Sequence, residues 1–281
     1  MIAELKYTHE FLAKQNIACP MVEAEQILCS LLNCRRVDIY TSDITINEPK
    51  MHKLNKILKL RAAGEPLQYL LAKAYFYGLE FKMREGVFIP RPETEILVDA
   101  VLAHSPQPTA HSPINILDLC TGSGNIAISL TKHLQCSKIC ASDISQGAVA
   151  TAKTNARLHG VYTNIKFRQG DLFKPWQGCK GFFDAITCNP PYIKKGRLKT
   201  LPEDVKNEPI AALDGGLDGL VFYKRIARQA VSYLKPNGYI FFEIAPDISG
   251  AVKQIFEKNF CDIEIVKDYN HFDRVITAKG K

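Results

Sequence analysis

The run Asn189-Pro190-Pro191-Tyr192, here called the acceptor loop, combines residue types that can hold a planar nitrogen for chemistry. Both prolines have a fixed φ and no N–H, so the loop is rigid and its carbonyls are not consumed by a helix beginning there. The Asn189 side chain and the Pro190 carbonyl offer two acceptors, enough for both hydrogens of one –NH₂ group. The Tyr192 ring can cover the planar group or a nearby cation. Asn189, Pro190 and Tyr192 are therefore candidate catalytic residues, and with Pro191 they form the candidate substrate-binding loop.

An amide or aryl amine nitrogen is a poor nucleophile because its lone pair is delocalised. Two fixed acceptors polarise such a nitrogen as positive charge develops on it and aim it at an electrophile, effects worth roughly 3 to 10 kcal/mol in measured cases. A Pro-rich turn capped by Asn189 is the competing interpretation. It is disfavoured because the loop directly follows the apolar run Ala185-Ile186-Thr187-Cys188. Local chemistry leaves amide and aromatic amine substrates undecided.

A second candidate site is the glycine loop, residues 118–124, which lies between a strand-like run and a helical pattern. Gly122 and Gly124 permit a tight turn and a close approach to a ligand. The third glycine of a dinucleotide fingerprint is replaced by Ile126-Ala127, which disfavours an NAD oxidoreductase. Asp143 ends the next predicted strand 21 residues after Gly122, where a carboxylate can accept hydrogen bonds from a ribose diol.

Asp171-Leu172 follows the third predicted strand. An acid beside an apolar residue can bind an adenine amino group and pack against its face. Taken alone, Asp171 is better explained as a turn or helix cap. With Gly122, Gly124 and Asp143 in register, the sequence favours an adenosine-containing cofactor.

Strands and helices alternate from Ile114 onward, which predicts a mostly parallel sheet with helices on both faces and ligands beyond the carboxyl ends of its strands. The predicted strands are Ile114–Leu119, Lys138–Ser142, Ile165–Arg168, Phe183–Cys188, Tyr239–Ala245, Asp262–Val266 and Arg274–Ala278. The predicted helices are Asn125–Leu134, Gln146–Leu158, Leu220–Leu234 and one further helix before Asp262.

The first part of the chain has a helical pattern. Apolar residues recur at helical spacing over Ala24–Leu32, and Leu54, Ile57 and Leu58 share one face of a helix that Gly64 can close. An aromatic, β-leaning stretch follows, in which two short runs flank Gly78 and Val87-Phe88-Ile89 comes next. A helix is expected from Glu93 to the Pro/Ser-rich break at residues 105–113.

Composition bounds the function only loosely. The 281 residues carry a net charge of +7, compatible with an acidic or nucleic-acid partner and equally with solubility alone. No apolar run reaches the roughly 20 residues of a membrane span, and no secretory signal is visible at the N-terminus. Nine cysteines without a C-x-x-C pair and seven scattered histidines indicate small buried thiols, no metal site and a cytoplasmic location.

Gly122-Ser123-Gly124, Asp143 and the acceptor loop resemble the class I methyltransferases that modify amino groups. More narrowly, nearly the whole chain is similar to the HemK/PrmC family, which methylates the glutamine of the Gly-Gly-Gln motif in peptide chain release factors. The stretches that carry this similarity are Gly64–Leu70, Gly86–Glu95, Glu208-Pro209 with Ala212-Leu213, Gly215–Leu220 and Asp273–Val275. Two positions depart from the family pattern. Cys120 stands where the family often has Gly, and Ala245–Ile248 stands where the family usually has a Gly and a Gln.

The resemblance implies a Rossmann-like α/β fold with a mostly parallel seven-stranded sheet and a small N-terminal helical domain. It implies S-adenosylmethionine as methyl donor, S-adenosylhomocysteine as product and release factors as partners. The implied domains are a substrate-recognition domain over residues 1–73, a hairpin linker over 74–92 and the methyltransferase domain over 93–281. The expected cofactor-binding residues are Cys120, Thr121, Gly122, Ser123, Gly124, Asp143, Asp171, Leu172 and Asn189, and Phe88 is expected to cover the cofactor.

Two related activities remain as alternatives. A glutamine methyltransferase of a ribosomal protein shares the loop and the domain plan, although the run Arg91-Pro92-Glu93-Thr94-Glu95 favours the release factor enzyme. An adenine amino methyltransferase would have to flip a base out of its stack. The basic residues Lys194, Lys195, Arg197 and Lys199 could contact phosphates, but a solvated face or a release factor contact is the preferred interpretation, and no direct nucleic-acid partner is expected.

Overall fold

The computed structural model describes residues 2–42, 45–104, 113–135 and 137–281. It divides into two compact units. Unit 1 contains residues up to Ala72 together with Pro202–Asn207, and unit 2 contains Lys73–Leu201 and Glu208–Lys281. The predicted break at residues 105–113 lies, except for Pro113, outside the described residues.

Unit 1 is helical, and its helices bury one continuous apolar core. The helices are α1 (Ile2–Lys14), α2 (Pro20–Leu32), α3 (Arg36–Thr41), α4 (Glu48–Ala62), α5 (Leu67–Leu70) and α9 (Glu203–Lys206). The predicted faces are confirmed, because Ala24, Ile27, Leu54 and Leu58 are all buried in this core. Pro20 occupies the first turn of α2, where its missing N–H has no helical partner to lose, so the helix begins earlier than predicted.

The C-terminus of α4 is tied to the segment Pro202–Asn207 within unit 1. Gly64 adopts a φ of +92° and closes α4 as predicted, with the Glu65 N–H donating to the Leu60 carbonyl at 3.1 Å. The nearly buried Arg61 side chain donates to Glu23 at 2.8 Å and 3.0 Å and to Asp204 at 3.1 Å. Asn207 donates to the Gly64 carbonyl at 3.0 Å. Residues distant in sequence thus complete this unit.

Unit 2 begins with an antiparallel hairpin of β1 (Lys73–Phe76) and β2 (Leu79–Lys82), as the aromatic stretch predicted. The strand character assigned to Val87-Phe88-Ile89 is wrong, because these residues are not in a strand. The Val87 N–H closes a turn onto the Arg84 carbonyl at 3.3 Å. The Ile89 N–H donates to the Glu208 carboxylate at 2.9 Å instead of to a neighbouring strand.

The main sheet has seven strands in the order β5-β4-β3-β6-β7-β9-β8, of which only β9 runs antiparallel to its neighbours. The strands are β3 (Ile114–Leu119), β4 (Ser137–Asp143), β5 (Ile165–Gln169), β6 (Phe183–Cys188), β7 (Leu234–Glu243), β8 (Phe260–Lys267) and β9 (Asp273–Gly280). The predicted mostly parallel seven-stranded α/β sheet is confirmed.

Helices cover both faces of this sheet, as the strand–helix alternation predicted. They are α6 (Glu95–His104), α7 (Asn125–His133), α8 (Gln146–Leu158), α10 (Val221–Ala227), α11 (Ala230–Tyr233) and α12 (Ser249–Glu257). Helices α10 to α12 share a core with Ile186 and Phe242, whereas His104 of α6 contacts the Phe241 ring at 6.0 Å on the opposite face. Successive strand residues point to opposite faces, so the central strands β3 and β6 are buried on both sides, whereas the edge strands β5 and β8 are partly exposed.

Two predicted boundaries in this unit are wrong. The single helix expected over Leu220–Leu234 is interrupted, since the Gln229 N–H closes a turn onto the Ile226 carbonyl at 2.9 Å and separates α10 from α11. Strand β7 begins at Leu234 rather than Tyr239, and its register against β6 shifts between Phe183 and Ala185. Asn237 in this strand has a φ of +63°. Apolar periodicity alone carries no sign of either irregularity.

The sequence predicted small buried thiols and no apolar run long enough to span a membrane. The cysteines that the structure describes are free thiols. Cys188 is buried, whereas Cys120 and Cys140 are partly exposed, which corrects the expectation of buried thiols at these two positions. Within the described ranges, no helix combines the length and the apolar character that crossing a bilayer requires.

Candidate active site

The two candidate loops meet where the strand order of the sheet reverses. β3 is the first strand of the sheet in sequence, and it lies between β4 and β6. Leu119 pairs with Ser142 on one side and with Cys188 on the other, so the loops that follow these strands emerge at one edge. Crevices at such switch points are where open α/β sheets bind their ligands.

The glycine loop has a backbone that few residues other than glycine adopt. Cys120, Gly122 and Gly124 have φ values of +57°, +56° and +83°. A Cβ on Gly124 would lie 3.0 Å from the Cβ of Ala152 and 3.2 Å from its Cα, so this glycine permits the close approach of α8. A Cβ on Gly122 would meet nothing within 4 Å. The backbone at Gly122 therefore faces open space.

Asp143, at the end of β4, orders this loop from the neighbouring strand. One carboxylate oxygen accepts from the Gly122 N–H at 2.9 Å and the other accepts from the Ser145 N–H at 2.9 Å. Burial raises the pKa of Asp143, and these backbone donors oppose the rise. The carboxylate thus shapes the glycine loop, and each oxygen keeps a lone pair for a further donor.

Asp118 connects the glycine loop to β6, the strand that precedes the acceptor loop. Its fully buried carboxylate accepts from the Thr121 hydroxyl of the glycine loop at 2.6 Å and from the Thr187 hydroxyl of β6 at 3.0 Å. Burial raises the pKa of Asp118 to about 7, against the opposing effect of the two threonine donors. Cys120 and Cys188, at the ends of the same two strands, hydrogen-bond through their thiols, and burial raises the pKa of Cys188.

The remaining residues of the glycine loop are held by α8. Ser123 is buried, and its carbonyl accepts from the Asn155 side chain at 3.0 Å. The same Asn155 side chain donates to the Lys82 carbonyl at 3.1 Å and accepts from the Lys82 N–H at 2.7 Å. One buried amide therefore couples the hairpin of unit 2 to the glycine loop.

Asp171 and Leu172, the predicted adenine contacts, have partners of their own. The Asp171 carboxylate accepts from Arg225 of α10 at 2.6 Å and lies 3.6 Å from the Lys174 ammonium. Leu172 is 5% exposed and packs in the core beside Phe173. Its φ of +48° turns the backbone sharply after Gly170. The adenine contacts stay a prediction.

The acceptor loop is held by a chain of hydrogen bonds to residues far away in sequence. The Asn189 side-chain nitrogen donates to the Thr94 hydroxyl at 3.2 Å, and that hydroxyl donates to Glu243 at 2.6 Å. The Tyr192 hydroxyl donates to the other carboxylate oxygen of Glu243 at 3.1 Å. Among the described residues, none donates to the Asn189 Oδ1 or to the Pro190 carbonyl. Both predicted acceptors are thus available.

Burial raises the pKa values of both Glu243 and Tyr192. Burial raises the pKa of Glu243, with the Thr94 and Tyr192 hydrogen bonds and the Arg274 charge opposing the rise. Burial and the neighbouring Glu243 charge raise the pKa of Tyr192. Tyr192 therefore remains a neutral donor at neutral pH.

A glycine-rich segment packs against the backbone of the acceptor loop. The Ile193 N–H donates to the Leu213 carbonyl at 2.9 Å, and the Gly215 N–H donates to the Ile193 carbonyl at 2.9 Å. A Cβ on Gly215 would lie 2.7 Å from the Tyr192 backbone, and one on Gly219 would lie 2.6 Å from the Tyr192 carbonyl oxygen. Only glycine fits at these two positions without a shift of the loop.

Phe88, the predicted cofactor cover, is half-buried and lies 5.1 Å from the Arg91 guanidinium. Arg91 forms an ion pair with the buried Glu208, whose carboxylate also accepts from the Ile89 N–H. Glu208 thus fixes two of the residues that follow Phe88. The cover role of Phe88 is still a prediction.

The basic residues after the acceptor loop are partly neutralised. Lys194 and Arg197 both approach Asp247, at 2.8 Å and 3.5 Å. Asp247 belongs to the 3-10 turn Pro246–Ile248, where the sequence departs from the family pattern. Two of the four cations for which phosphate contact was the less favoured interpretation therefore have an acidic partner.

Sequence reasoning missed the roles of Thr94 and Glu243. Both are 1% exposed and polar, and their only signal was the position of Thr94 within the Arg91–Glu95 run and of Glu243 at the end of an apolar strand. A buried carboxylate at a strand end requires donors. That requirement predicts partners but does not identify them.

Comparison with known families accounts for both units. The family model described as PrmC N-terminal domain matches residues 4–71, and the model described as Methyltransferase small domain matches residues 79–207. A release factor glutamine methyltransferase of Thermodesulfovibrio yellowstonii is 40% identical over 262 residues, which cover 92% of this chain and 92% of the relative. Its counterpart in Geobacter sulfurreducens is 36% identical over 278 residues, 98% of this chain and 95% of the relative.

Solved structures confirm the methyltransferase fold. A methyltransferase from Pyrococcus furiosus is similar with a TM-score of 0.53, at 13% identity, over 83% of this chain and 98% of its own. At that identity the similarity concerns the fold alone.

Proposed function

Because the chain belongs to the release factor glutamine methyltransferase family, we propose that it methylates the side-chain amide nitrogen of the glutamine in the Gly-Gly-Gln motif of release factors. The methyl donor is S-adenosylmethionine, and S-adenosylhomocysteine is released. One observation carries the chemistry: the acceptor loop holds the Asn189 Oδ1 and the Pro190 carbonyl available at the carboxyl edge of the sheet, beside the glycine loop.

The residues at the switch point fit an adenosine-containing methyl donor. Among the described residues other than its two chain neighbours, none has an atom within 4 Å of a Cβ placed on Gly122, so its backbone can approach a ligand closely. Asp143 keeps acceptor capacity for a ribose diol after binding the Gly122 and Ser145 N–H groups. The glycine loop from Cys120 to Gly124 lines the same edge, and Asp171, Leu172, Asn189 and Phe88 complete the set assigned to the cofactor. When bound, S-adenosylmethionine supplies an electrophilic methyl group.

The acceptor loop binds and orients the glutamine amide. The Asn189 Oδ1 and the Pro190 carbonyl each accept one hydrogen of the –NH₂ group, which fixes the plane of the amide and leaves the nitrogen face open for alkylation. As the nitrogen gains positive charge, both acceptors bind its hydrogens more strongly. Pro191 keeps the loop rigid, and the Tyr192 ring covers the planar group. No strong base is required beforehand, because the nitrogen becomes acidic as it is alkylated.

The helical unit 1 is assigned to the release factor. Its own core and its family match set it apart from the unit that contains both loops. A protein substrate must be held outside the loop that receives its glutamine, and unit 1 is the part of the chain not used for the cofactor or for the acceptor loop. Release factors act in translation, which places the reaction in the cytoplasm.

A direct experiment tests this function. The protein is incubated with radiolabelled S-adenosylmethionine and a purified release factor, and the label is mapped by mass spectrometry. We expect one methyl group on the glutamine of the Gly-Gly-Gln motif and none on a release factor whose motif glutamine is replaced by alanine. Ribosomal protein and nucleic acid serve as competing substrates. Label on either of them, with none on the motif glutamine, would exclude release factor methylation.

A further inference from the structure

The Asn189 side chain has to present its oxygen and not its nitrogen to the substrate amide. The two ends of a carboxamide have nearly the same shape, so packing alone does not distinguish them. What distinguishes them is the hydrogen-bonding partner on the protein side. That partner is the Thr94 hydroxyl, 3.2 Å from the Asn189 Nδ2.

The direction of this hydrogen bond is set one step further away. Glu243 is 1% exposed, and both of its carboxylate oxygens accept hydrogen bonds, one from the Thr94 hydroxyl and the other from the Tyr192 hydroxyl. The Thr94 hydroxyl donates its single hydrogen to Glu243 at 2.6 Å. Its oxygen is then left as an acceptor, and only the –NH₂ end of Asn189 can satisfy it.

We propose that Glu243 and Thr94 are positioning residues, a pair that fixes the Asn189 amide with its Oδ1 toward the substrate. This inference rests on the proposed function, since it explains how the substrate-holding atom is selected. The reversed orientation would bring the Asn189 Oδ1 against a hydroxyl whose hydrogen is already committed. Leaving such a buried group unsatisfied costs about 1–3 kcal/mol, which favours the observed orientation by roughly 5- to 150-fold.

The same carboxylate also places the second side chain of the acceptor loop. The Tyr192 hydroxyl donates to the other oxygen of Glu243 at 3.1 Å. Burial of Thr94 and Glu243 excludes water as a substitute donor or acceptor. One buried acid at the end of β7 therefore determines the orientation of both polar side chains of the loop.

Three substitutions test the pair by methylation kinetics. Thr94→Val keeps the shape and removes the hydroxyl, whereas Thr94→Ser keeps the hydroxyl. Glu243→Gln introduces an –NH₂ group that can donate where the carboxylate only accepts. We expect Thr94→Val and Glu243→Gln each to lower kcat about tenfold, equivalent to ~1.4 kcal/mol, with the KM for S-adenosylmethionine changed less than about twofold. Thr94→Ser, which keeps the hydroxyl, should keep most of the wild-type kcat.

The double variant decides whether the two residues act in series. Thr94→Val combined with Glu243→Gln should cost about tenfold, as either change does alone, and not the roughly hundredfold of independent effects. Independent effects would overturn the proposal, as would a Thr94→Val variant with unchanged kcat or a Thr94→Ser variant as impaired as Thr94→Val. Thermal unfolding of each variant separates these outcomes from loss of the fold, and Glu243→Gln provides the test if Thr94→Val does not fold.

A second measurement needs no methylation. The side-chain –NH₂ resonances of Asn189 are assigned in a ¹⁵N–¹H spectrum by their loss in Asn189→Asp. We expect them to shift in Thr94→Val and to stay near their native positions in Thr94→Ser. Unmoved resonances in Thr94→Val would show that Thr94 does not hold this amide. If wild-type protein fails to methylate release factors, the proposed function fails, while this spectrum still tests the pair.

Discussion

The glycine loop and the acceptor loop lie at the same edge of the sheet, but they obtain their shapes in different ways. The glycine loop is shaped mainly by its own backbone, with φ values of +57° at Cys120 and +56° at Gly122, and by the adjacent strand through Asp143. The acceptor loop depends on Thr94 and Glu243, which lie 95 residues before Asn189 and 51 residues after Tyr192. The backbone of the glycine loop is therefore encoded mainly by nearby sequence, whereas the orientation of the Asn189 and Tyr192 side chains is encoded by the tertiary fold.

Asn189→Ala should produce the largest effect, and it should impair the acceptor loop while leaving the glycine loop intact. The variant loses one of the two acceptors for the substrate amide, so we expect kcat to fall about 100- to 1,000-fold, as when one preorganised hydrogen-bonding group of an active site is removed. The affinity for S-adenosylmethionine, measured by calorimetry, should change little because the glycine loop is untouched. Unchanged turnover would rule out the role given to Asn189.

Gly122→Ala should impair cofactor binding by the glycine loop, with a smaller effect than that of Asn189→Ala. A Cβ there enters the open volume assigned to the cofactor, and we expect about tenfold weaker binding of S-adenosylmethionine. The φ of +56° adds backbone strain of roughly 1–2 kcal/mol. Gly181→Ala is the matched control, since Gly181 also has a positive φ of +62° and open space around it.

Both glycine variants should lose similar thermal stability, and only Gly122→Ala should lose cofactor affinity. At saturating cofactor the kcat of Gly122→Ala should approach that of the wild type, because the acceptor loop is intact. Equal loss of affinity in the two variants would contradict the assignment of the volume beside Gly122.

Asp118 connects the glycine loop to the strand that precedes the acceptor loop, and its substitution should give the smallest effect, a change in thermal stability. Burial raises its pKa from 3.8 to about 7, so the folded protein retains a proton that the unfolded chain has released. The contribution of Asp118 to stability is therefore present below about pH 4 and is lost as the pH rises toward 7. Above pH 7 both states are ionised and the dependence ends.

Asp118→Asn removes this titration. We expect the Tm of the variant, relative to wild type, to become more favourable by a few degrees as the pH rises from 5 to 7.5, measured by differential scanning fluorimetry. Other groups titrate equally in both proteins and cancel in the difference. A difference in Tm that stays constant from pH 5 to 7.5 would mean that Asp118 is ionised throughout this range in the folded protein as well.

Sequence patterns predicted the helices and strands whose bounds depend on neighbouring residues in the chain. The bounds of β3, α8 and β6 follow from apolar periodicity bounded by polar or turn residues, and they were confirmed residue by residue. The break between α10 and α11 could not be predicted, since it depends on a turn at Gln229 within an otherwise helical pattern. Val87–Ile89 was misassigned for a related reason, because the partner of Ile89 is the carboxylate of Glu208 and not a strand.

In the candidate site, too, some features could be predicted from the sequence and others could not. The Asn189 and Pro190 acceptors were predicted from residue type and are available in the structure. The Thr94 and Glu243 contacts could not be predicted, because they join residues from an early turn and a late strand that meet only after the sheet has formed.

The segment Pro202–Asn207 has a consequence for the order in which the chain matures during synthesis. Asp204 pairs with Arg61, and Asn207 donates to the carbonyl of Gly64, yet residues 73–201 are translated between these partners. When Ala72 has been synthesised, the helical unit still lacks its last helix and one acidic partner of a nearly buried arginine. The first part of the chain to emerge from the ribosome is therefore completed only after most of the second has followed it, and a fragment ending at Ala72 would remain an unfinished domain.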